Sequence, residues 1–113
     1  MGNYRSVANQ WRTMKTQINV TDTKSSLRFQ LGITFATPGI LNRIDLDAIS
    51  FAVMRHSLAD WGDVCMHDKR ANDLALENGG RLFSTYRDAN SQKFWIITEA
   101  DRSCTTVLFP EEY

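Results

Sequence analysis

The chain has 113 residues, 42% of them hydrophobic and 23% charged, enough for one domain with a modest core. Its formal net charge of zero excludes both the decisive positive excess of a typical nucleic-acid binder and the acidic whole of a DNA mimic. No apolar run approaches the roughly 20 residues that span a bilayer, so no membrane partner is expected.

The charge is unevenly spread. Residues 1–44 hold six Lys/Arg (Arg5, Arg12, Lys15, Lys24, Arg28, Arg43) against Asp22 alone, a balance of +5, and residues 45–113 carry the compensating −5. Such a chain has either two halves that complement each other or a surface with two electrostatic faces. The N-terminus shows no apolar h-region, so a cytoplasmic location is expected. In a reducing compartment Cys65 and Cys104 would be free thiols, and both read as buried structural cysteines.

In chain order, Tyr4, Val7, Trp11, Met14 and Ile18 recur at gaps of three and four, which predicts an amphipathic helix over 1–18 with Asn3 as its cap. A polar connection, 19–26, follows. From Leu27 to Phe35 apolar and polar residues alternate strictly, the pattern of a half-buried strand with Leu27, Phe29, Leu31, Ile33 and Phe35 on its inner face. Thr37-Pro38 caps and opens a short helix. Asp45 caps a second, whose stripe is Leu46, Ile49, Val53 and His56. Phe51 and Met54 widen its apolar side, predicting a centrally packed helix.

Gly62 interrupts the block Ser57–Asp63, and Asp63 is the expected cap of a mostly polar third helix over 64–78 that stops at Gly79-Gly80. Three strands follow: Leu82–Tyr86, Phe94–Thr98 and Thr105–Phe109, joined by turns at Asp88–Ser91 and Glu99–Ser103 and ended by Pro110. Residues 1–113 therefore read as a single α+β domain. Its antiparallel sheet has about four strands, one N-terminal strand plus a C-terminal three-stranded meander, with helices packed on one side.

Two places gather residues that do chemistry. His56, Asp60, Asp63, His67 and Asp68 lie within thirteen positions, but their spacing matches no ligand pattern such as His-Glu-x-x-His. Backbone bonding by Asp60 and Asp63, with His56 near the negative end of a helix dipole, accounts for them. Glu99, Asp101 and Arg102 lie at a turn beside Ser103 and Cys104, where no histidine stands near in sequence to activate a nucleophile. No catalytic residue, metal or cofactor is assigned. Trp61 sits among acids, where it either locks its loop to the core or anchors a partner.

The run Leu31-Gly32 through Ala36-Thr37-Pro38-Gly39, His56 with Asp60-Trp61-Gly62-Asp63, Asp68 and Asn72, Gly80-Arg81-Leu82, Phe94–Ser103, Thr105-Thr106 and Leu108–Tyr113 resembles a family of small plasmid- and mobile-element-borne bacterial proteins. Some of these carry the label type I restriction endonuclease subunit M. The resemblance covers about residues 31–113. This chain has neither an Asn/Asp-Pro-Pro-aromatic motif nor a Gly-rich cofactor loop, so methyltransferase activity is not expected. Where the family carries acids, this chain has Met66-His67.

The resemblance implies a mobile-element setting, in which small motif-poor proteins often inhibit host defence complexes by binding them, as anti-CRISPR and anti-restriction proteins do. The expected function is thus a non-enzymatic protein-binding module, with Asp60, Trp61, Asp63, Asp68, Asp73 and Glu77 as the contact surface. One alternative is a small DNA-binding accessory protein using Arg5, Arg12, Lys15 and Arg28. The other is a small enzyme centred on His56, Asp60 and Asp63.

Overall fold

Pro38 and Asp45 start two helices where the capping chemistry predicts them. In the computed structural model, which describes residues 15–19 and 27–113, Thr37 Oγ1 accepts the Ile40 amide at 3.2 Å and Asp45 Oδ2 the Asp47 amide at 3.1 Å. The elements in order are β1 (Thr16–Gln17), β2 (Ile33–Ala36), α1 (Pro38–Arg43), α2 (Leu46–Ser57), α3 (Met66–Asn78), β3 (Leu82–Arg87), β4 (Lys93–Thr98) and β5 (Cys104–Leu108). A single 3-10 turn, Pro110–Glu112, follows. The class is α+β, as expected, with helices on one side of the sheet.

The sheet has five strands in the order β1-β2-β5-β4-β3. It is mixed rather than purely antiparallel: β2 runs parallel to β5, with Ile33 opposite Cys104 and Ala36 opposite Val107. The meander β3-β4-β5 is antiparallel as predicted. The chain crosses from β2 to the far edge, and three helices occupy that crossover.

Two expectations about the N-terminal third change. Most of the predicted helix over 1–18 lies outside the described residues, as does 20–26 of the polar connection. Its last turn is not helical: Thr16 pairs with Ala36 and Gln17 with Phe35, and the Ile18 amide donates to Thr34 O at 2.8 Å. A free β2 edge recruits that backbone into the sheet, overriding the side-chain periodicity.

The predicted strand Leu27–Phe35 survives only from Ile33. Gly32 is the reason. It sits at φ +68°, and a Cβ there would meet Ser103 O at 2.3 Å, so the chain turns sharply against the β5 entry. Past that turn the faces are exchanged. Thr34 and Ala36 point into the core, while Ile33 is exposed and Phe35 only half-buried. A shift of one residue flips a whole strand.

The core lies between the sheet and helices α1 and α2. Ala36, Tyr86, Phe94, Ile96 and Val107 from the sheet meet Ile40, Ile44, Ile49, Ala52 and Val53. The C-terminal turn is tied to the entry of α1 by one carboxylate: Glu112 Oε1 accepts from Thr37 Oγ1 and from the Phe109 amide, each at 2.8 Å. Arg43 lies over the Phe109 ring and reaches Glu111 at 3.4 Å, joining the basic first part of the chain to the acidic end.

The exchanged register has a direct check in chemical denaturation. Ile33→Ser is expected to change the unfolding free energy by less than about 0.5 kcal/mol, and Ala36→Leu to cost about 1–3 kcal/mol by overpacking. The reverse order would restore the register predicted from the alternation.

Candidate functional site

The residues expected to form a site fall into two separate environments. His56, on the sheet-facing stripe of α2, is completely buried. Its Nδ1 lies 2.5 Å from Ser84 Oγ and its Nε2 2.8 Å from Thr98 Oγ1. Thr98 Oγ1 is 2.7 Å from Thr105 Oγ1, and that hydroxyl donates to Leu31 O at 2.6 Å.

The direction of this chain is forced from its end. A carbonyl only accepts, so the Thr105 proton is committed to Leu31. Thr98 must therefore donate to Thr105, His56 Nε2–H to Thr98, and Ser84 to the bare Nδ1. The imidazole is the neutral Nε2–H tautomer. Burial pushes its pKa down to about 3, with the Arg102 charge adding to the effect. His56 does lie in the last turn of α2, as expected, but it is neutral there and bonded to the sheet. An aromatic lid closes the pocket: Phe29 and Trp61 meet the imidazole edge-on at 5.3 and 5.6 Å and stack on each other at 6.2 Å.

Asp60 and Asp63 are engaged by arginines instead. Arg55 grips Asp60 through Nε and Nη2 at 2.7 and 3.1 Å, which holds the Asp60 carboxyl below its usual range and raises Arg55. The buried Tyr86 hydroxyl, its pKa raised by desolvation, donates to the Asp60 carbonyl at 2.6 Å. Asp63 approaches Arg87 at 3.7 Å. It does not cap α3; Cys65 occupies that position and is exposed, while Cys104 is half-buried. The expectation of two buried cysteines fails because both lie where an element begins, at its solvent end.

The Trp61–Asp63 stretch and α3 share one task, which is to close the outer edge of β3. The Thr85 amide donates to Trp61 O at 3.1 Å and the Asp63 amide to Thr85 O at 2.8 Å. Gly62 between them, at φ +74°, has no room for a Cβ, which would stand 2.0 Å from Thr85 O. Two residues back along the strand, the Asn72 amide group pairs with the backbone N–H and C=O of Phe83, at 3.0 and 2.7 Å. Together they replace a missing sixth strand and leave no open β3 backbone at these positions.

Trp61 is 3% exposed and donates from Nε1 to Asp73 Oδ1 at 3.1 Å, the main cause of the lowered Asp73 pKa. It locks its loop and presents nothing to a partner, so it drops out of the expected contact surface. The ring needs burial and its N–H an acceptor, and both are supplied from within. Asp73 also lies 3.5 Å from Lys69. Asp68 is half-buried and Glu77 exposed on the same helix.

The turn at 99–103 resolves differently from an acid/base site. Arg102 donates to four carbonyls: Gly80 at 2.5 Å, Glu99 and Ala75 at 3.1 Å, and Ala100 at 3.2 Å. It ties the end of α3 to the β4–β5 turn. Glu99 is approached by Arg81 at 3.7 Å, and Asp101 accepts the Ser103 amide at 2.9 Å. Lys15, one of the predicted DNA contacts, donates to Thr106 Oγ1 at 3.1 Å and sits over the Phe35 ring. Among the described residues no three His, Cys, Asp or Glu side chains come together as metal ligands, and no helix is long and apolar enough to cross a membrane. Comparison with protein-family models, curated proteins and solved structures finds no match.

Sequence reasoning missed the Ser84–His56–Thr98–Thr105 chain. Its signal was present as polar residues at inward positions of otherwise apolar strands. The sign of its pH dependence follows from the two states. The unfolded chain protonates His56 below about pH 6.5 and the folded one only near 3, so the unfolded state binds more protons in between. Stability is complete above about 6.5 and is expected to fall as the pH drops toward 3, by up to about 1.4 kcal/mol per pH unit. Urea titrations from pH 7 to 4 measure this slope, and His56→Gln is expected to remove it. A wild-type slope that survives in His56→Gln would assign the effect elsewhere.

Proposed function

We propose that the protein is a non-enzymatic binding module that lays the outer face of α3 on a partner protein. The observation that carries this reading is the poverty of the helix's own contacts. Of its thirteen residues only Asn72 is buried, and Met66 and Leu74 are exposed by 64% and 61%. Large apolar side chains two turns apart on a helix anchored by a few polar bonds suit helix-in-groove recognition. Met66 and Leu74 take the anchoring role expected of Trp61.

The acids refine the partner class. Asp60, Asp63 and Asp73 are held by Arg55, Arg87 and the Trp61–Lys69 pair, and the half-buried Asp68 stands one turn before the buried Asn72, so the exposed Glu77 is the carboxylate best placed to meet a partner's bases. In our reading the partner is a host nucleic-acid-targeting defence complex. The resemblance to mobile-element proteins supports that class, and a small protein covering a basic groove would inhibit such a complex stoichiometrically.

Cells carrying a type I restriction or CRISPR system and expressing the protein are expected to admit a targeted phage more efficiently than cells without it. A variant carrying Met66→Lys, Leu74→Lys and Glu77→Lys should weaken partner binding on the order of tenfold or more and abolish protection. Its thermal unfolding should remain close to wild type. Protection untouched by the triple substitution would overturn α3 as the contact surface, and no protection by the wild type would overturn the anti-defence reading.

A further inference from the structure

Two apolar faces lie outside the core. The outer side of α2, expected to be packed centrally, is open, with Leu46 and Phe51 each 58% exposed. The face of the sheet turned away from α1 and α2 is closed. Strand alternation puts Phe35, Phe83, Trp95, Ile97, Thr106 and Leu108 on that side, opposite in sense to the core residues Ala36, Phe94, Ile96 and Val107. The pairing registers set four of them in one row across four strands: Phe35, Thr106, Ile97 and Phe83. Leu108 is 1% exposed, Thr106 4% and Ile97 6%. Such burial is that of an interior, and strands that are apolar on both sides need cover on both sides.

The described helices supply cover on one side only. Helices α1 and α2 pack on the core face, and α3 is bonded to the β3 edge through Asn72. On the far face the described residues bring Tyr113, whose ring meets Trp95 at 5.8 Å, and Lys15. Lys15 fixes where the preceding chain begins. It donates to Thr106 Oγ1 at 3.1 Å and stands 4.2 Å over the Phe35 ring, so the backbone running back from it starts on this face.

We infer that residues 1–14 lie as an amphipathic helix across the far face of the sheet, making the fold three layers: helices, sheet, helix. The stripe Tyr4, Val7, Trp11 and Met14 turns toward the row, and Arg5, Asn9 and Arg12 turn toward solvent. The dimensions agree. Fourteen helical residues are about 21 Å long, and the four steps across a five-stranded sheet are about 19 Å. A helix leaving Lys15 on the β1 side therefore reaches β3 with no connecting loop. Phe35, Trp95 and Phe83, each half-buried, offer the Trp11 and Tyr4 rings aromatic neighbours. A second copy could present the same stripe, but the chain's own segment is held at the face by the Lys15 peptide bond, at an effective concentration on the order of millimolar. The cover uses no side chain of α3, so it is independent of the proposed partner surface.

Nuclear Overhauser contacts in the full chain test this placement. With isoleucine and leucine methyls labelled, the Trp11 indole, identified by its loss in Trp11→Phe, is expected to show contacts to Ile97 and Leu108. In a mixture where one population carries only protonated methyls and the other only protonated aromatic rings, those contacts should vanish. Contacts that persist in the mixture would assign the cover to a second copy and overturn the inference, as would no contact from Trp11 to either side chain. Trp11→Asp, which puts a charge on the stripe, is expected to lower the midpoint of thermal unfolding by about 5 °C or more. Asn9→Asp, on the opposite side of the helix, should stay within about 2 °C of wild type. A Trp11→Asp midpoint equal to wild type, or an equal fall in Asn9→Asp, would also overturn it.

Discussion

A neutral imidazole sealed between a helix and a sheet governs the arrangement of this fold. His56 joins α2 to β3 through Ser84 and to β4 through Thr98, and the chain continues to β5 and the Leu31 carbonyl. Every donor and acceptor in it is matched, which is the condition under which buried polar groups specify a unique packing at no net loss. Removing any member would orphan the next, at about 1–3 kcal/mol for each unsatisfied group. The lid of Phe29 and Trp61 keeps water out, and the same Trp61 reaches Asp73 to seat α3. The environment of the imidazole and the position of the outermost helix are thus physically linked.

That linkage also separates scaffold from surface. The types of residue that suggest chemistry are largely consumed internally: a histidine in the core, aspartates on arginines, an arginine on carbonyls. Several large apolar side chains nevertheless remain outward. Met66 and Leu74 on α3, Leu46 and Phe51 on α2, and Leu58 just after it are exposed side chains that the described residues leave uncovered.

The sequence conveyed the meander, the caps at Thr37 and Asp45, and the α+β class, because each depends on neighbours within a few residues. It misled wherever a distant backbone decided the outcome. The alternation from Leu27 to Phe35 looks like one strand, but Ser103 O forces a turn at Gly32 and the inner face changes sides. Phe29, half-buried, still packs on His56 and Trp61, from a loop rather than a strand. The stripe on α2 correctly included His56 yet also Leu46, which sits at the first turn beyond the sheet's cover. Of the expected contact residues on α3, Glu77 is exposed and Asp68 half-buried. Trp61 was not legible as buried, since its burial depends on Phe29 and Asp73, neither adjacent in sequence.

The claim on which the rest depends is that His56 is a neutral, directionally bonded structural group and not an acid, base or metal ligand. Long-range nitrogen–proton correlation spectra of the imidazole test it most directly. The expected result is a protonated Nε2 and a bare Nδ1, unchanged from pH 7.5 down to 4.5, in keeping with a pKa lowered to about 3. An Nδ1–H tautomer, or a titration near 6.5, would contradict it.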